Sequence, residues 1–295
     1  MDNNRKSYIF ALLSIFFWST VPTAFKISLA RLDVMTMLTL ATYTSAAALF
    51  SIVLATGKTG LLRINSVRDL FNSAVLGFIN PFLYYLILLE AYRRLPAQVA
   101  QPLNMIWPII LVFLSVPILR QKIKKKSFAA LFISFTGVYL ISSQGNPFRF
   151  EGADPAGVFL ATGSSVFWAF YFILNVKDRR DESIKLLLNF LFGSLYLTAA
   201  MTITGRWTGN IDLTGLAGSV YIGIFEMGLT FFFWLKALSL ARTTDKVSNL
   251  VYIAPFISLL FVHYILGEPV YYTTPAGLIL IIGGIFIQNR KWVRR

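Results

Sequence analysis

Ten runs of about 20 mostly apolar residues recur along this chain, at 8–29, 34–56, 69–92, 97–119, 127–144, 155–176, 184–204, 214–240, 246–266 and 273–289. Each is long enough to cross the roughly 30 Å hydrocarbon core of a bilayer as a helix. Charged residues make up only 14% of the chain, against roughly 25% in soluble domains, so this sequence cannot cover a water-facing surface. A segment in lipid must pair its own backbone groups, which leaves helices or closed barrels, and these runs lack the alternating polarity of barrel strands. The reading is an all-α membrane protein of ten transmembrane helices. The charged segment Met1 to Lys6 precedes a run too long for a signal-peptide core and without a small-residue cleavage site, so an uncleaved first span is expected.

A net charge of +14 would suit a nucleic-acid partner, but its distribution argues for a membrane protein obeying the positive-inside bias. With the N-terminus inside, 20 lysines and arginines fall on the cytoplasmic side, among them Arg5, Lys58, Lys122, Lys124 to Lys126, Lys177, Arg180 and Arg290 to Arg295. Five fall on the other: Arg31, Arg93, Arg94, Arg149 and Arg206. Both termini are therefore expected in the cytoplasm. The expected partners are the bilayer and a small solute, and no nucleic acid. The basic run 122–126 reads as a solvated loop beside anionic headgroups.

There is no cysteine and one histidine, His263. Disulfides and thiolate metal sites are excluded, and no metal or cofactor is expected. An intramembrane enzyme would need acids clustered with a histidine, cysteine or serine–base pair, and here the acids are scattered. No phosphate-binding loop is present, which argues against direct ATP drive. A channel would commonly place repeated charges in a symmetric oligomer, whereas this chain carries an internal pair.

That pair is a repeat. Pro108 and Pro255, Ala129 and Ala276, Leu131 and Leu278, Gly137 and Gly284, and Ile118-Leu119 and Ile265-Leu266 all match at an offset of 147. Ser14-Ile-Phe-Phe-Trp18 matches Ser164-Ser-Val-Phe-Trp168 at 150, and Glu90-Ala91 matches Lys236-Ala237 at 146. The units are 1–146 and 147–295. Each holds five helices, so the second copy enters the membrane from the opposite side. Inverted repeats of this kind are a recurrent design of secondary transporters, whose solute site lies near the midplane among interrupted helices.

Leu266-Gly-Glu-Pro269, the run Pro275-Ala-Gly-Leu-Ile-Leu-Ile-Ile-Gly-Gly284, and the combination of Trp18, Pro22 and Trp168 resemble the close and the core of an EamA-type repeat. The chain is similar to ten-helix members of the drug/metabolite transporter superfamily, and within it to bacterial aromatic amino-acid exporters. The resemblance implies a multi-pass protein of the bacterial inner membrane, a central cavity between the repeats, and solute export by alternating access. The substrate it implies is an aromatic or hydrophobic amino acid, with drug or other metabolite efflux as the alternative. One departure is that the first repeat has Arg120-Gln121 where the second has Gly267-Glu268, so that acidic residue has no symmetric mate.

Polar and aromatic residues inside the runs are the candidate solute contacts: Trp18 on the first helix, Asn80 and Tyr84 one turn apart on the third, Gln101 and Trp107 on the fourth, Trp168 on the sixth, Glu226 on the eighth, and Ser248 and Tyr252 on the ninth. Polar groups at this depth face either neighbouring helices or a wet cavity. Indole and phenol faces suit an aromatic side chain and can hold a cation. Glu226, near the centre of its run, is the rarest signal, fit for a proton or a solute ammonium. Pro22, Pro108 and Pro255 each remove a helix hydrogen bond and are candidate hinges. The expected cavity lies between helices 1, 3, 4, 6, 8 and 9.

Overall fold

The computed structural model describes residues 2–62, 66–119, 125–147, 153–206, 211–240 and 250–289. Among these the chain is helical, without strands. The helices are α1 (Asn3–Leu29), α2 (Val34–Ala55), α3 (Val67–Gly77), α4 (Tyr84–Arg94), α5 (Ala97–Asn104), α6 (Trp107–Leu119), α7 (Lys125–Ser142), α8 (Pro155–Lys177), α9 (Glu182–Ile203), α10 (Leu213–Tyr221), α11 (Leu229–Leu240), α12 (Ala254–Leu266) and α13 (Thr273–Asn289). Two π-helical stretches, Phe78–Leu83 and Ile222–Glu226, join α3 to α4 and α10 to α11. Among the described residues, six helical segments are long and apolar enough to cross a membrane: Asn3–Leu29, Val34–Ala55, Val67–Arg94, Pro155–Asn175, Glu182–Ile203 and Leu213–Trp234.

Helix starts follow local capping chemistry. Asp33 accepts from the Met35 and Thr36 amides at the head of α2, Asp181 from Ser183 at the head of α9, and Asp212 from Thr214 and Gly215 at the head of α10. Each satisfies donors that the first turn leaves unpaired. α12 ends at Gly267, whose φ of 68° is the left-handed conformation that favours glycine. The fourth run divides at Met105–Ile106 into α5 and α6.

The chain forms two compact units that interleave its halves: Met1–Leu89 with Asp178–Gly267, and Glu90–Lys177 with Glu268–Arg295. In the first unit, α2 and α9 run antiparallel. Tyr43 meets Thr198 toward one end, and Lys58 meets Asp181 at 2.8 Å at the other. The α3–α4 span runs parallel to α9: the Arg180 guanidinium donates to the Asp69 carbonyl, and Gly193 seats Pro81 further along. The α10–α11 span runs parallel to α2, with Gly223 against Ala41 to Ser45 and Gly228 against Ala48. It runs antiparallel to α1, through Thr20–Tyr221 at 2.6 Å and Ser7 donating to the Ala237 carbonyl at 2.7 Å. It follows that the α3–α4 and α10–α11 spans are themselves antiparallel.

In the second unit, α7 and α13 pack along their backbones. A Cβ at Gly137 would lie 2.5 Å from the Gly277 carbonyl oxygen, a Cβ at Gly277 would lie 2.5 Å from the Gly137 carbonyl oxygen, and Gly284 faces the Ala130 carbonyl. Contact numbers rise on one helix as they fall on the other, so this pair too is antiparallel. Small residues at such seams let helix backbones approach closely.

The loop heads of the first unit carry an electrostatic clasp. Burial alone would raise the Asp178 and Asp181 carboxyls, but hydrogen bonds from Arg180 to Asp178, and from Lys58 and Ser183 to Asp181, outweigh it and hold both below the usual carboxylate range. A carboxylate held low in the folded state contributes stability that is present above its unfolded pKa of about 3.9 and lost as pH falls through the folded value. Thermal melts in detergent should therefore be flat from pH 7 to about 5 and fall below about pH 4, with a shallower acid limb in Asp181→Asn. An identical acid limb in that variant would remove Asp181 from the account.

Candidate functional site

The third and eighth runs are interrupted at matching places. Gly77 precedes the first π stretch, and Pro81 inside it cannot donate a backbone hydrogen bond. Gly223 lies within the second stretch and Gly228 just after it. Stretches of this kind widen a helix by one residue and recur at functional sites. Asn80 has φ −147° and ψ 121°, an extended backbone inside a helical span.

Glu226 ends the second stretch. The fully buried Tyr85 hydroxyl donates to its Oε1 at 3.0 Å. Its other oxygen, Oε2, is buried and has no hydrogen-bond partner among the described residues. The Phe25 ring stands edge-on to Tyr85 at 6.4 Å and the Tyr84 ring lies 4.8 Å from it. A buried carboxylate oxygen without a partner costs roughly several kcal/mol unless a cation or proton arrives, and the rings packed around Tyr85 are faces of the kind that hold a cation. Asn80 is another such group: it is fully buried, and neither its Oδ1 nor its Nδ2 has a partner among the described residues.

The other candidates fall into two groups. In the first unit, Trp18 stands edge-on to Phe231 at 6.3 Å and to Trp234 at 5.3 Å. In the second, Trp107 and Trp168 meet edge-on at 6.5 Å, Gln101 is buried, and Asn104 donates to the Ser164 hydroxyl at 2.7 Å. Ser248 lies outside the described residues, as do the side chains of Tyr252 and Pro108. The helical-turn relation expected between Asn80 and Tyr84 does not hold, because the extended backbone at Asn80 breaks the turn. Among the hinge candidates, Pro22 sits inside the unbroken α1, and Pro255 is in the first turn of α12, where a missing N–H is tolerated.

Two residues were missed by sequence reasoning. Tyr85, next to the candidate Tyr84, carries no sequence signal of its own. Glu268 looked like an unmatched loop acid, but its two oxygens accept from the Ala97 and Gln98 amides at 3.0 and 3.3 Å, capping α5 from a distant loop. The Gln98 side chain completes the joint, donating to the Pro269 carbonyl and accepting from the Tyr271 amide and the Thr274 hydroxyl. Charge-assisted bonds at a helix N-terminus are stronger than neutral ones. Glu268→Gln should lower the melting temperature by a few degrees at neutral pH, corresponding to about 1–2 kcal/mol, and an unchanged melt would show the joint to be dispensable.

Comparisons with known proteins decide the family. Residues 5–143 and 155–290 each match the profile of the EamA-like transporter family. The chain belongs to that family. It is a multi-pass membrane transporter made of two sequence repeats. An uncharacterized transporter of Archaeoglobus fulgidus is 27% identical, over 97% of this chain and 99% of its own. Protein PecM of Dickeya dadantii is 26% identical over 80% of this chain and 78% of its own, and the uncharacterized transporter YvbV of Bacillus subtilis is 26% identical over 82% and 79%. A solved crystal structure superposes with a TM-score of 0.67 at 20% identity, covering 97% of both chains, a likeness of fold.

Proposed function

We propose that this EamA-like transporter exports aromatic or large apolar amino acids across a bacterial inner membrane by alternating access. In this reading the units 1–146 and 147–295 are inverted repeats, ten helices span the membrane, and both termini are cytoplasmic. The antiparallel pairing of α2 with α9 and of α7 with α13 supports inversion, since these helices hold equivalent places in the two halves. The 20-to-5 charge asymmetry supports the orientation.

The observation that carries the substrate class is the Tyr85–Glu226 pair, with one carboxylate oxygen unspent beside aromatic rings. In the proposed cycle the solute ammonium takes that oxygen, and a proton neutralises it when the solute has left. Trp18, Asn80, Tyr84, Gln101, Trp107, Trp168, Ser248 and Tyr252 remain the candidate contacts along the path, and Pro22, Pro108 and Pro255 the candidate hinges. The test is uptake of radiolabelled phenylalanine, tryptophan, methionine and threonine into proteoliposomes, with and without a proton gradient. Saturable flux of the aromatic pair supports the reading. Absence of flux for all four defeats it and turns the search to drugs and other metabolites.

A further inference from the structure

The Tyr85–Glu226 pair has a twin that lacks its chemistry. The offset of 146 that matches Glu90-Ala91 to Lys236-Ala237 also matches Gly77 to Gly223, Asn80 to Glu226, and Tyr85 to Phe231. The match holds in three dimensions within the first unit. A Cβ at Gly77 would meet the Asn189 carbonyl oxygen at 2.3 Å, Phe192 Cβ at 2.9 Å and the Gly193 nitrogen at 3.1 Å. A Cβ at Gly223 would meet the Ala41 carbonyl oxygen at 2.4 Å, Thr44 Cβ at 2.7 Å and the Ser45 nitrogen at 3.1 Å. The two seats use the same atoms in the same order, at positions related by one further constant offset. A π stretch lies at or just after each seat, and Asn80 and Glu226 hold equivalent positions three residues beyond the two glycines.

Under that relation the bond from Tyr85 to Glu226 maps onto Phe231 and Asn80. Phenylalanine has no hydroxyl, and both polar atoms of the buried Asn80 side chain are left without a partner among the described residues. One side of the arrangement therefore offers a carboxylate oxygen, and the other offers amide N–H donors with no negative charge. Tyr85 is bonded to Glu226 at 3.0 Å and lies five residues beyond Asn80 on the same span, so the span that reaches the carboxylate also carries the unpartnered amide. An α-amino acid carries one ammonium and one carboxylate, the complement of this pair of unpartnered groups.

We infer that Asn80 holds the carboxylate of the solute whose ammonium sits on Glu226, which makes the site selective for a zwitterion. The inference rests on the amino-acid reading above and adds a recognition element to it. An amine without a carboxylate leaves the Asn80 amide buried and unpaired. An acid without an amine sets a second negative charge against Glu226. Both are penalised, because a site built to pair a polar group rejects the analogue that lacks it.

The test compares initial uptake rates of phenylalanine, phenethylamine and 3-phenylpropionate in proteoliposomes, after subtraction of protein-free vesicles, for the wild type, Asn80→Asp and Asn80→Leu. The wild type should favour phenylalanine over each analogue by tenfold or more. Asn80→Asp, close in shape to the native residue, places a carboxylate against the solute carboxylate and should lower the phenylalanine-to-phenethylamine ratio at least tenfold. Asn80→Leu should lower the same ratio. Two results would overturn the inference while leaving amino-acid export standing: a wild type that carries phenethylamine as fast as phenylalanine, or variants whose ratio is unchanged even though their total flux falls. A wild type that carries no phenylalanine overturns both the inference and the reading beneath it.

Discussion

Glu226→Gln should lower phenylalanine flux about a hundredfold or more while the protein remains folded and no less stable. Glutamine keeps the shape and still accepts the Tyr85 hydroxyl, so the bond at 3.0 Å survives. What disappears is the charge that faces the ammonium. Breaking a buried charge pair by removing one partner costs about 3–5 kcal/mol, and each 1.4 kcal/mol or so is a factor of ten. Stability should move the other way, because a neutral amide in place of a buried carboxylate with an unspent oxygen removes a desolvation penalty. The combination is diagnostic: loss of flux with a higher or equal melting temperature marks a functional charge. Loss of both marks Glu226 as a structural member of the helix pair, and unchanged flux removes it from transport.

The second large effect is structural. Gly223→Val should abolish recovery of monodisperse protein from detergent extracts, and Gly77→Val should do the same. A Cβ at either position would press within 2.4 Å of a helix carbonyl oxygen on the facing span. Backbone cannot yield as a side-chain tip would, so this lies at or beyond the upper end of the usual overpacking cost of about 1–3 kcal/mol. Gly163→Ala on α8 is the control, since nothing lies within 4 Å of its Cβ position, and it should leave extraction and melting unchanged. Normal recovery of both valine variants would mean that the two seats are not where the spans meet.

The helices were legible in the sequence because lipid leaves the backbone one local solution, and apolar runs of spanning length announce it. The start of α2, α9 and α10 could have been read from Asp33, Asp181 and Asp212, which cap them. The internal offset was legible, and it is the offset that later identifies Asn80 and Glu226 as equivalents. The π stretches were not legible, because widening a helix by one residue changes no periodicity that composition carries. That hidden residue is also why Tyr84 was singled out and Tyr85 was not: counting one α-turn from Asn80 gives Tyr84, while the structure hands the carboxylate to the next residue. The interleaving of the two halves into compact units was equally hidden. It rests on seats such as Gly193 beneath Pro81 and Gly137 against Gly277, where the signal is the absence of a side chain. The capping role of Glu268 was hidden because its partner amides lie some 170 positions away, and no local pattern links a loop acid to a distant helix head.

The most direct measurement is equilibrium binding of radiolabelled phenylalanine to the purified transporter in detergent, comparing the wild type with Glu226→Gln. The account predicts saturable binding to the wild type that phenylalanine itself displaces, and at least a hundredfold weaker binding to the variant. Equal binding by the two proteins would contradict it, since the ammonium would then rest on some other group than Glu226.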